Sequence, residues 1–506
     1  MSKNLKKVLC LTLAVAMTGS LFTACGKKEE TKTQATLGDL TEDEISLTYQ
    51  FWEDGPVVNE LNEEWAKIHP NITVNPVEVL VGDANGNLTS MLGTEDMPDV
   101  FWVLGTPDFA ITQGMLTNMA GMWNADPDAQ NVIGGINEFN LGYLGTEGKW
   151  TTPVKFFPTE AWLNMNYFTR ANVDMPSTDW TFEEMNELVA SLTTGDGTGW
   201  GVSEAVNIIT WYPIASDPDC IGEFGWDGEK FDLTNWADGM DIEKEWMDNG
   251  YKAPVVIPNT DNQYPQDLGY VAMRLDNWWC WERFWDKEEM YTRNVYWVPY
   301  VLPHTEDNAD SNTYLATMDF GGIYSDCAYP REAYEVLKFF CWGAEGWNYK
   351  LSKYDEIVAV GAEGSVSGLV PGPINNCPIT KDETIWEMYE AMHPTSAAEG
   401  GDAEGKELYG IDRAPYFDAF FEKVKTSNWT CYGSGQIPGF DTWLVDTYRS
   451  TSIYSGPEKF YDTEYSGVEC SVFAGNADPH DFVEELTETA NATNQEYVEM
   501  IHSALE

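Results

Sequence analysis

Along residues 45–79 the apolar positions change period twice. ISLTYQFW is a nearly continuous apolar run of strand length, whereas VVNELNEEWAKIHP places Val57, Val58, Leu61, Trp65 and Ile68 on one helical face. His69-Pro70 ends that helix, because the residue before a proline is driven out of the helical region. NITVNPVEVLV then alternates like a second strand. A strand, a helix and a strand in this order build a parallel sheet, so the opening predicts an α/β fold.

Similar patterns continue downstream. DMPDVFWVLGTPDFAITQGMLTNM predicts a short apolar strand ending at Trp102 and then a helix. Thr181 and Glu184 have capping-box spacing in front of the stripe Met185, Leu188, Val189 and Leu192. DIEKEWMDNG ends on Gly250, a suitable left-handed cap. PREAYEVLKFFCW starts a helix at Pro330, with Ala333, Tyr334, Leu337, Phe340 and Cys341 on one face. No repeat of 20 to 50 residues is visible, which argues against an adhesin or stalk.

The first residues follow a different logic. Lys3, Lys6 and Lys7 precede VLCLTLAVAM, an apolar run too short to span a bilayer and fit for a signal peptide over 1–24. LFTACGKKEE follows, and Thr23-Ala24 before Cys25 resembles the lipobox of bacterial lipoproteins, with Phe22 where leucine is usual. That resemblance implies lipidation of Cys25 and attachment to the outer face of the cell membrane. Residues 25–44 are polar and aperiodic, as a flexible tether is.

Composition narrows the function. With 506 residues the chain exceeds one ordinary core, and two or more domains are expected. The 83 acidic side chains against 28 basic ones leave a formal charge of −55, a field that repels nucleic acid and anionic lipid. Of nine cysteines, Cys10 leaves with the leader and Cys25 carries lipid. Cys220, Cys280, Cys327, Cys341, Cys377, Cys431 and Cys470 remain, widely spaced and without any CxxC, so buried free thiols are expected for most of them, with one or two bridges left open. There is no HExxH and no GxSxG. GGDAEGK from Gly400 mimics a phosphate-binding loop but continues with Glu407 in place of the Ser or Thr that holds magnesium, and reads as a turn. GDGTG and DNADSN miss calcium-loop spacing, so no metal and no cofactor are assigned.

The order of elements resembles the extracellular solute-binding proteins of bacterial ABC importers, in the sugar-binding branch that includes maltose-binding protein. ISLTYQFW with AKIHPNITVNPVEV, MPDVFWV, GKWTTPVKFFPTEAWLNMNYFTRANVDMPSTDWTFEEMNELV, WYPIASD, FDLTNWADGMDIEKEWMDNGYKAP, YVAMRLDNWWCW, NVYWVPYVLP and GGIYSDCAYPREAYEVLKFF fall in the family's order, and HDFVEELTETANATNQEYVEM suits its closing helix. The resemblance implies a two-lobed periplasmic-binding-protein-like fold of type II. Crossings near 160, 317 and 378 would divide it into lobe 1 (45–159 and 318–378) and lobe 2 (160–317 and 379–506). It also implies a monomer that closes on its ligand and delivers it to the transmembrane subunits of an ABC permease, with no bond made or broken.

The 22 tryptophans then acquire a use. A pyranose offers an apolar C–H face and a rim of hydroxyls, so it wants a flat ring below and hydrogen-bonding groups around it. Covering on the order of 60 Å² of that face contributes roughly 1.5 kcal/mol per ring. NWWCWERFW, residues 277–285, is the densest aromatic stretch. On a strand, Trp279 and Trp281 would share one side and Trp278 and Cys280 the other; the resemblance favours Trp279 as the stacking ring, with Trp281, Phe284 and Trp285 as core. The remaining ligand-binding candidates at strand ends and crossovers are Trp52, Glu53, Asp54, Trp102, Glu160, Trp162, Trp211, Tyr212, Asp276 and Trp443. Taken singly, each acid also reads as a solvated surface carboxylate, and flat rings also accept peptides or other polar solutes. The enzymatic alternative is a surface-anchored carbohydrate-active hydrolase, which pairs such rings with two carboxylates about 5 to 10 Å apart.

Overall fold

The computed structural model describes residues 37–104, 107–136, 148–257, 264–280, 295–357, 374–431 and 478–505. Cys25, Trp281, Phe284, Trp285, Trp443 and Cys470 lie outside the described residues, as does the leader. Among the described residues no helix is long and apolar enough to cross a membrane.

The first unit forms as its periodicity predicts. β1 (Ile45–Trp52) pairs in parallel with β2 (Ile72–Val79) across α1 (Gly55–Ile68). Val57, Val58, Leu61 and Trp65 are buried, but Ile68, the last residue of the helix, is exposed. β3 (Val100–Val103) adds to β1 in parallel.

Two long strands then organise everything else. β4 (Thr152–Asn164) runs 13 residues, buried throughout, and β8 (Thr313–Ile323) runs antiparallel to its first half. β5 (Trp200–Glu204), β6 (Val271–Asn277) and β7 (Trp297–Val301) gather on its second half. The main path is β2-β1-β3-β8-β4-β6-β5, with β7 on β4, and β9 (Asn428–Thr430) on the start of β8. The exchange of partners happens at Pro158. That residue pairs with Ala316 of β8, and the next, Thr159, pairs with Asn277 of β6. A proline has no N–H to give a ladder, so it sits naturally where one ladder stops. The result is an α/β molecule of two lobes, one built on each half of β4. Residues around 377 run beside the same strand, where the Cys377 amide donates to the Phe156 carbonyl at 3.0 Å.

Helices cover both halves. α2 (Phe182–Ser191) carries the expected capping box, with the Glu184 amide donating to Thr181 Oγ1 and the Thr181 amide to Glu184 Oε2. α3 (Ile208–Ser216) packs on α4 (Thr234–Asp248), after which Gly250 turns the chain at φ +67°. α5 (Pro330–Leu337) begins at its proline and continues as one π-helical turn, Lys338–Trp342, and Ala333, Tyr334, Leu337, Phe340 and Cys341 are all buried. α6 (Ala344–Ser352), α7 (Glu383–Ala391), α8 (Ala414–Thr426) and α9 (Val483–Leu505) complete the longer helices. GGDAEGK forms a turn at Gly400 and Gly401, both at positive φ, and then the start of a short helix capped by Asp402. Cys220, Cys327, Cys341 and Cys377 are free thiols.

Candidate functional site

Charged residues are rare inside a sheet, and β4 contains two. Lys155 faces Asp319 of β8 across the ladder, and its Nζ lies 3.3 Å from Asp54 Oδ1 and 5.5 Å from the centre of the Trp102 ring. Asp54 follows β1, next to Glu53, whose φ of +51° is unusual for a residue with a side chain. Burial pushes the Asp319 carboxyl up to about 6; Lys155 opposes the shift, and Glu53 and Asp54 add to it. Lys350 of α6 is buried over the face of Trp347, 3.2 Å from the ring centre. Burial holds its ammonium down to about 7, and the nearby Asp54 charge partly offsets this. Two lysines and three carboxylates therefore meet where β1 ends beside the first half of β4.

A few residues along β4, the aromatic surface begins. Phe157 meets Trp279 edge to face, centroids 5.3 Å apart. β6 stops at Asn277, and Trp278 to Cys280 form a single 3-10 turn rather than more strand. The turn still sends the two tryptophans opposite ways. Trp278 has no exposed surface, lying between Trp162 and Phe420 and donating to the Tyr389 hydroxyl at 2.8 Å; Trp279 is 41% exposed. Below it, Thr159 Oγ1 donates to Asn277 Oδ1 at 2.7 Å. Leu80 and Leu104, just past the ends of β2 and β3, are also exposed.

Glu160 is the second charge of β4, and among the described residues no cation pairs with it. Trp162 Nε1 donates to its Oε1 at 2.7 Å, while Oε2 is buried with no hydrogen-bond partner among the described residues. Burial, reinforced by Asp276 on the adjoining strand, pushes this carboxyl well above the usual range. Asp276 itself is neutralised by Arg274, 2.8 Å away.

The candidates thus fall into separate groups. Glu53, Asp54 and Trp279 come to the junction of the two halves, with Trp52 and Trp102 behind them in edge contact at 5.1 Å. Trp102 is buried and donates to the Tyr49 hydroxyl at 2.7 Å. Trp162, Glu160 and Asp276 lie deeper, in the second half of β4. Trp211 is buried and Tyr212 half-buried on α3, where both pack on Phe182. Sequence reasoning missed Lys155, Phe157, Asp319 and Lys350. For two of them a signal exists: Lys155 in TPVKFFPTEAWLN and Asp319 in TYLATMDFGGI are each the charge that interrupts an apolar strand. Among the described residues no group of three or more His, Cys, Asp or Glu is placed to hold a metal ion.

One long strand shared by both halves of the molecule, with an open aromatic ring at the junction, has counterparts among solved proteins. The fold is that of two-lobed ABC solute-binding proteins. An ABC substrate-binding protein of Listeria monocytogenes, solved in complex with cycloalternan, matches with a TM-score of 0.58 and 16% identity over 90% of this chain and 100% of that one. A sugar transporter protein of Rhizobium etli in an open conformation matches at 0.59 and 16%, over 88% and 99%. The sugar-binding protein MalE of Xanthomonas citri matches at 0.57 and 13%, over 89% and 97%. No family model and no curated protein matches the sequence. At these identities the likeness is one of fold, and these structural neighbours are substrate-binding proteins rather than enzymes.

Proposed function

We propose that this protein captures an oligosaccharide between its two lobes and presents it to the membrane subunits of an ABC importer. One observation carries the reading: Trp279 stands open beside Phe157 at the junction of the lobes, while its neighbour Trp278 is sealed in the core. An indole face open beside a second ring is a flat apolar platform, and the C–H face of a sugar is a suitable cover for it. Asp54, Lys155 and Asp319 supply charged hydrogen-bonding groups for the hydroxyl rim, each worth more than a neutral partner. Ligand that touches both lobes binds the closed form best, so binding drives closure, and closure is the shape a permease reads. Micromolar affinity, on the order of −8 kcal/mol, needs only two or three platforms with such hydrogen bonds.

In this reading the leader is removed, Cys25 carries the lipid, residues 25–44 tether the body to the outer face of the membrane, and the protein acts as a monomer without turnover. The solved neighbours with bound sugars, cycloalternan in one case and mannotriose in another, support the choice of ligand class. Titration calorimetry against a panel of neutral oligosaccharides, peptides and polyols tests it. Trp279→Ala is expected to weaken binding of the sugar that titrates by about 1 to 3 kcal/mol with little loss of fold. Unchanged affinity removes the ring from the site, and hydrolysis of a labelled oligosaccharide replaces capture with the hydrolase reading.

A further inference from the structure

β4 is not alone in joining the two halves. α9 is 23 residues long, roughly 34 Å at the rise of an α-helix, and its two ends are fastened to different lobes. In its first half Asn491 clamps the backbone of Phe231 in both directions: Nδ2 donates to the carbonyl at 2.9 Å, and Oδ1 accepts from the amide at 2.9 Å. One turn earlier Thr487 Oγ1 accepts from the Leu233 amide at 3.2 Å. Phe231 and Leu233 lead into α4, among the helices of the β5-β6 half. Near its end Tyr497 and Ile501 are buried in a separate cluster with Leu88, Phe101 and Met115, on the β3 half.

We infer that α9 is a strap across the hinge, which limits how far the lobes part. The inference rests on the two-lobe closure proposed above, but on no particular ligand. Hinge strands bend with small changes of backbone angle, whereas a continuous helix neither stretches nor folds without losing hydrogen bonds. Opening beyond the reach of α9 must therefore break one of its two attachments. The polar clamp at Phe231 and the apolar seat of Ile501 both resist it.

The test is small-angle scattering on the purified protein without added sugar. The pair Thr487→Val, Asn491→Ala removes the clamp, and Ile501→Asp removes the opposite seat. Each is expected to raise the radius of gyration, by a similar shift, with helical circular dichroism retained. A folded Thr487→Val, Asn491→Ala protein with the parent's scattering curve, or a smaller radius, overturns the inference. Should Ile501→Asp fail to fold, the clamp variant decides alone. A failure of the sugar reading would appear separately, as absence of heat in the titrations, with the scattering result unaffected.

Discussion

The two halves of β4 bury one charge each and deal with it in different ways. In the first half Lys155 is matched across strands by Asp319 and across a loop by Asp54, so the charges persist as a network near the junction. In the second half Glu160 meets the indole N–H of Trp162 and, among the described residues, no cation, and burial favours its protonated form. Burial costs an ion several kcal/mol, and a partner of opposite charge or neutralisation are the two remedies. Near the end of β1 both signs are available within reach. Deeper in the second lobe Arg274 is already taken by Asp276. A network of live charges suits hydroxyl recognition; a neutral acid suits a packed interior.

Four variants probe that contrast, from large effects to small. Trp162→Ala deletes the ring stacked on Trp278 and the one donor to Glu160, and is expected to cost about 3 to 5 kcal/mol in urea unfolding. Lys155→Met takes the paired cation from Asp319 and leaves Asp54 with Lys350 alone, a loss of about 2 kcal/mol near neutral pH. The loss shrinks in acid, where Asp319 is protonated.

Glu160→Gln keeps the bond from Trp162 and removes the titration. Unfolded, this carboxyl ionises near 4.5; folded, it keeps its proton to higher pH. The native state therefore binds more protons, and the parent's stability falls as pH rises above 4.5, a slope the variant is expected to lose in thermal melts. Asp319→Asn is expected to remove a narrower slope of the same sign, between 3.8 and about 6. If instead the glutamine variant follows the parent at every pH, Glu160 is ionised in the native state and the contrast between the halves disappears.

Much of the fold is legible in the chain, because its signals are local. The period of VVNELNEEWAKI, the proline after His69, the Thr181–Glu184 box and the glycine at 250 each act within a few residues, and each is found where expected. Contrary facing of Trp278 and Trp279 is also local, since neighbours on a strand or its terminal turn diverge. The site is less legible. Trp102 and Trp211 look like platforms as well as Trp279 does, yet both are buried, because the elements that cover them come from distant parts of the chain. Lys155 and Asp319 lie 164 positions apart, and no local pattern announces their pairing.

By itself, then, the sequence determined the element types, the caps, the acidic surface and the supply of indole rings, all of which depend on short-range sterics or on composition. Only the tertiary structure decided which ring stays open, which charges meet and that one helix spans both lobes. Those outcomes depend on register at Pro158 and on burial by remote segments, and burial is a property of the assembled molecule rather than of any residue within it.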